Sequence, residues 1–239
     1  VTIQAGERRR FDAKGVDMHG NAVPGQPTWR ITNNLGIITA DGELSAIQVG
    51  KGEVIITQGD VIQRLVVTVQ PGVLHTLQVA PETLTITAGG SVELVATGYD
   101  AHGNRVEVKP LWQTAENLAS ITPQGKLTAH KAGKGQVIVS AAQQQASVTL
   151  TVTPGALATI TIEPGPFTVR SGTQQAFKAT GRDAHGNEVA ITPTWSLQGD
   201  IGKIDAHGVF HATTAGQGAV NATVGAVQGR ATGKVEAAQ

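Results

Sequence analysis

A single pattern, written three times at a constant step, limits what this chain can fold into. Trp29, Trp112 and Trp195 stand 83 residues apart, and so do His19, His102 and His185, each of which opens a His-Gly-Asn triplet. Gly42, Gly125 and Gly208 keep the step, as do the pairs Gly50/Gly52, Gly133/Gly135 and Gly216/Gly218. Nothing is inserted or deleted between these landmarks, although surface loops ordinarily tolerate changes of length. Solenoid repeats run to roughly 20–45 residues, so a period of this size implies a whole small domain rather than one turn of a solenoid. "VTVQPG" closes the first unit at Gly72 and "VTVTPG" closes the second at Gly155. The expected units are 1–72, 73–155 and 156–239.

The middle unit displays the local structure. "LHTLQV", "TLTIT", "SVELVAT", "PLWQT", "GKLTA", "GQVIVSA" and "ASVTLTV" are short runs rich in Val, Ile, Leu and Thr. Several alternate apolar and polar residues, the pattern of a half-buried strand, and none has a 3.6-residue period. Turn residues separate them. Seven short strands in one unit predict an all-β fold: three tandem immunoglobulin-like antiparallel β-sandwiches. Within "SVELVAT" the positions Leu94 and Ala96, with Phe11 and Ala13 or Phe177 and Ala179 in the other units, stay apolar and are expected to face the core. Val92, Arg9 and Gln175 occupy the mouth.

The phrase that follows each of these strands holds Asp, His, Asn and Trp, and it admits two readings. Asp17, Asp100 and Asp183 stand two residues before the His, where a short carboxylate accepts backbone N–H groups and closes a turn. Gly, and to a lesser degree Asn21, Asn104 and Asn187, tolerate the positive φ that such a turn needs. Pro27, Pro110 and Pro193 stand two residues before each Trp, which suits the first residue of a strand. Trp29, Trp112 and Trp195 are then expected to be the largest core residues. In the chemical reading, Asp and His bind metal or relay protons. One Asp, one His and one Asn are too few ligands, and no second His or carboxylate recurs nearby. These nine Asp, Asn and Trp positions are therefore read as structural, with no metal, cofactor or catalytic residue expected.

Composition excludes further classes. The chain of 239 residues has 18 basic and 18 acidic side chains, so it lacks the basic surplus of a non-specific nucleic-acid binder. The run Arg8-Arg9-Arg10 is expected to be a solvated strand edge. There is no cysteine, hence no disulfide and no thiolate chemistry. No apolar run approaches the ~20 residues of a membrane span, and no signal peptide opens the chain. No nucleophile elbow, phosphate loop or His-rich metal motif is present, so no enzyme is expected. Sugar binding needs exposed aromatic rings. With Trp and most Phe assigned to cores, only Tyr99 and Phe167 are left for it.

The segments "ATGYDAHGNRV" and "ATGRDAHGNEV", with the downstream G-x-(L/F)-x-A and G-x-G-x-V patterns, resemble bacterial immunoglobulin-like (Big) domains across nearly the whole chain. In that family the Asp-x-x-Gly-Asn segment is a structural turn, so the resemblance supplies no functional residue. The Trp positions depart from the invasin-like branch, where an aliphatic residue is usual. The resemblance implies a tandem spacer in a bacterial secreted or cell-surface protein, whose partners are the neighbouring domains of the parent protein. Further copies of itself, in a surface layer or filament, and surface polysaccharide are the alternative partners. Three sandwiches in line would span roughly 100–120 Å.

One asymmetry breaks the repetition. By register Val1 matches Leu84 and Phe167, but those are preceded by the strand-like segments "VLHTLQVAPET" and "ALATITIEPGP". The first unit is therefore expected to lack its first strand and to show an unpaired edge over a partly uncovered core. Together with a start at Val1 rather than Met, this reads as a fragment. Strand donation by another copy is the alternative.

Overall fold

The computed structural model describes residues 1–114 and 117–238, and every regular element among them is a β-strand. In the middle unit a four-stranded sheet forms one layer, in the order Thr83–Thr87, Gln144–Thr153, Gly133–Ala141, Leu111–Thr114. Two three-stranded sheets close over it. One consists of Thr76–Ala80, Val95–Tyr99 and Arg105–Val106. The other consists of Ser91–Glu93, Lys126–Ala129 and Ala119–Ile121. The third unit repeats this arrangement strand for strand.

The alternation in the sequence places side chains as expected. Along Gln144–Thr153, Val148, Leu150 and Val152 turn into the core while their neighbours face out. With Leu127, Ala129, Val137 and Val139 they form a core of fully buried aliphatics. A second core gathers around Phe210, Val220 and Val235, and a third around Leu44, Val54 and Val67. Each core draws its members from one repeat only.

Four details differ from the sequence reading. "SVELVAT" is not one strand: at Leu94, which is 2% exposed, the chain crosses from one small sheet to the other. Among its described residues the unit has ten strands rather than seven, because two of the short ones, Arg105–Val106 and Ala119–Ile121, carry no alternation long enough to read. The sandwich is not wholly antiparallel, since Thr83–Thr87 runs parallel to Gln144–Thr153, with Leu84 opposite Leu150. The tryptophans are half-buried rather than the centre of each core. Each indole packs one side on the core, and Trp112 Nε1 is buried without a hydrogen-bond partner among the described residues. The repeated glycine beside it is explained by this packing. At Gly208, φ is +84°, and a Cβ would stand 2.7 Å from Phe177 O and 2.9 Å from the Trp195 ring.

Arg8–Arg10 is an exposed strand, as its charge implies. Arg8 pairs with Glu43 and Arg10 with Asp41, both at 3.4 Å. Exposed pairs of this kind contribute little.

Candidate functional site

The repeated turn is built alike in all three units. The carboxylate of Asp100 accepts from His102 N and Asn104 N at Oδ1, both at 2.9 Å. Asn104 Nδ2 donates to Oδ2 at 2.9 Å. Asp17 and Asp183 make the same three bonds within their own turns. The glycine of each triplet takes positive φ, +83°, +82° and +80° at Gly20, Gly103 and Gly186. The Asn beside it does not take positive φ; its amide side chain is what the turn uses.

In the second and third units this turn reaches across to the preceding unit. Asp100 Oδ2 accepts a fourth hydrogen bond from Gly72 N at 2.9 Å. Asn104 Nδ2 donates to Ile47 O at 2.7 Å, and its Oδ1 accepts from Val49 N at 3.0 Å. The next joint repeats the set. Gly155 N donates to Asp183 Oδ2 at 2.7 Å, Asn187 Nδ2 donates to His130 O at 2.9 Å, and Ala132 N donates to Asn187 Oδ1 at 2.7 Å. His185 lies over Gly89 of the preceding unit, where a Cβ would stand 2.7 Å from its Nε2 and φ is +89°.

The chemistry of this junction is that of a saturated clamp. A carboxylate offers about four acceptor sites, and those of Asp100 and Asp183 are filled by four N–H donors each. Asp100, Asn104, Asp183 and Asn187 are buried, at 4%, 5%, 4% and 8% exposure. Burying a charge is tolerable only with such compensation. Burial alone would raise the Asp100 pKa, but the N–H of Gly72 and the bonds from Asn104 and His102 outweigh it and bring it to about 2. Asp183 is depressed for the same reasons, with Gly155 in place of Gly72. Asp17 and Asn21 form the turn in the open, both exposed. Asp17 is also held below the usual carboxylate range, chiefly by the Asn21 side chain.

The comparison between units gives a first expected result. Asp17→Ala removes a turn but no joint. It should lower the melting temperature of the first unit by less than half the shift that Asp100→Ala produces in the second. Equal shifts, measured by calorimetry, would mean that the cross-unit bonds contribute nothing.

Thus the Asp and Asn positions singled out in the sequence come together in each turn, whereas Trp29, Trp112 and Trp195 lie apart from them on the sheet. Of the two aromatics left for stacking on sugars, Phe167 is in the core, 6% exposed and edge-on to Phe177 at 5.0 Å. Tyr99 is half-buried, and so is every aromatic side chain not fully buried. The sequence reading missed the atoms that the clamp grips. They are backbone N–H and C=O groups, borne by Gly at one position of both joints and by unlike residues, Ile47 and Val49 or His130 and Ala132, at the others.

No family model matches the chain. It is 26% identical over 203 residues to "Ice-binding protein 1" of Shewanella frigidimarina (strain NCIMB 400). That stretch is 82% of this chain and 23% of the relative, so the chain spans about a quarter of the length of the curated relative it matches. Among solved structures, protocadherin gamma B7 extracellular cadherin domains 1–4 superpose with a TM-score of 0.52 at 11% identity, covering 89% of this chain and 66% of that one. The Escherichia coli adhesin FdeC gives 0.48 at 19% identity, covering 94% and 87%. Domains 4–9 of the surface layer protein SbsC give 0.35 at 20% identity, covering 95% and 42%. The protocadherin likeness shows the fold, a tandem of all-β sandwiches of the immunoglobulin-like and cadherin-like kind.

Proposed function

We propose that this chain is a non-catalytic spacer, a semi-rigid stalk of three bacterial immunoglobulin-like (Big) units at 1–72, 73–155 and 156–239. It would hold other domains of a larger bacterial secreted or cell-surface protein apart, outside the cell. The observation that carries this reading is the pair of matching joints. Two successive units are fastened by buried hydrogen bonds whose donors and acceptors are all used. A chain of independent beads has no reason to bury an aspartate and an asparagine at each junction. The short linkers, each ending in Pro-Gly, also limit bending. The relative that holds a comparable stretch within a much longer protein supports a place among other domains.

Small-angle scattering tests it. At neutral pH the particle should be extended, with a largest dimension of roughly 100–120 Å. A compact globule of this length would have a radius of gyration of about 18 Å, and that value would overturn the stalk.

The joint should also be acid-labile in a defined direction. The folded pKa of Asp100 lies near 2, below the ordinary value of about 3.9. Its contribution is therefore complete above about pH 4 and is lost as pH falls through about 2. The scattering profile should hold from pH 7 to 4.5 and show loosened joints near pH 2. Loosening already at pH 5 would assign the stiffness to other groups.

A further inference from the structure

Each unit pairs an early strand with its last one in parallel, which hairpins alone would not produce. Ile3 stands opposite Val69, Leu84 opposite Leu150 and Val169 opposite Val235. A parallel pair is slightly less stable per residue than an antiparallel one. In the middle unit it joins positions 66 residues apart, and the entropy lost in closing a loop grows with its length. Thermal stability alone gives no reason for this pairing, but the direction of the two strands does.

The first joint lies at the end of the unit where Thr76 stands opposite Tyr99, beside Asp100. The second lies at the other end, where Thr87 stands opposite Thr153, beside Gly155. A pull between the joints draws Thr83–Thr87 toward the first and Gln144–Thr153 toward the second. The strands must then slide along their length, which loads every bond between them at once. The ladder is closed at both ends, by Thr149 N donating to Glu82 O at 2.9 Å and Ala88 N donating to Thr153 O at 2.8 Å. Since the backbone alternates with a period of two, Leu84 and Ile86 turn their polar groups into the ladder and Thr85 turns its own away. Both faces are covered against water. Leu150 and Val152 are buried beneath. Above, Thr83, Thr85 and Thr87 face Thr149, Thr151 and Thr153, three β-branched pairs in register.

We propose that the chain bears tension: each parallel pair is a shear lock, and the stalk is a tether that resists being drawn out between its joints. The direction of the load rests on the stalk reading; the lock is a property of one unit.

The sequence contains no cysteine, so handles for optical tweezers can be set at chosen points of the full chain. Val73→Cys with Ala156→Cys loads the middle unit along the rod. Ser91→Cys with Ala156→Cys opens the same ladder from its Thr87–Thr153 end, one bond after another. All three positions are exposed. Forced unfolding reads the unfolding rate rather than equilibrium stability. At equal force the axial geometry should unfold at least tenfold more slowly. In that geometry Ile86→Pro, which deletes a ladder N–H, should speed unfolding at least tenfold. Thr85→Pro, on an edge strand with its N–H outward, should speed it less than threefold. So should Leu127→Ala, outside the ladder, although it lowers the melting temperature. Equal rates in the two geometries, or axial rates that follow melting temperature across the variants, would overturn the lock. Because the handles load one unit directly, this result is separate from the scattering test of the stalk.

Discussion

Leu127→Ala should unfold the middle unit first and leave the other two near their own melting temperatures. Leu127 is completely buried, in the core that it shares with Val137, Val139 and Leu150 of the facing sheet. Truncating a buried leucine costs about 2–5 kcal/mol, transfer and cavity together. At about 3 kcal/mol, a unit of this size should lose on the order of 15 °C. Trp112→Ala should cost less, about 2 kcal/mol, although it removes a larger side chain. Its indole is half-exposed, and its loss also removes a buried N–H that has no acceptor among the described residues. Scanning calorimetry, with one transition per unit, reads both variants. If Trp112→Ala proves the more damaging, the aliphatic core is not what holds the sandwich.

Asp100→Ala should free the first joint as well as weaken the second unit. Four N–H groups lose their acceptor, those of Gly72, His102 and Asn104 and the Asn104 side chain. Hydrogen bonds to a charged partner contribute about 1.5–3 kcal/mol each when measured singly, and unmet buried donors add their own penalty. Rearranged donors regain water once the joint opens, so a total of about 3 kcal/mol is expected. Asn104→Ala separates the two roles, since it cuts the bonds to Ile47 and Val49 yet leaves three donors on Asp100. Spin labels on the first and second units should show a narrow distance distribution in the wild type. It should broaden strongly in Asp100→Ala and also in Asn104→Ala, with the second unit less destabilised in the latter. A distribution that stays narrow in both variants would show that the linker alone sets the angle.

These expectations rest on features of unequal visibility in the sequence. The period of 83 residues, the alternation in "ASVTLTV" and the turn-closing role of Asp100 are side-chain patterns, and a pattern of side chains is what a sequence records. The cross-unit clamp is different. Asn104 and Asn187 grip backbone atoms of Ile47 and Val49, or of His130 and Ala132. Backbone groups are the same whatever residue bears them, so the backbone half of the joint leaves no trace in composition. The crossing at Leu94 was hidden for a related reason, because alternation continues through a residue that changes sheets without changing face. Trp drew attention by size and repetition, yet size does not determine burial. A ring at the margin of a sandwich keeps one face to solvent while serving as a wall for the glycine turn.

The two joints also define a motion through space. The same donors meet the same acceptors at separations of 57, 55 and 28 residues in each. One rotation and one translation thus carry the first unit onto the second and the second onto the third. Repetition of a single head-to-tail step traces a helix of constant pitch. In such a structure the number of copies sets the reach and nothing else. Duplicating 83 codons advances the tip by one fixed increment and one fixed twist, so length becomes a quantity that the gene can count, as a ruler counts its divisions.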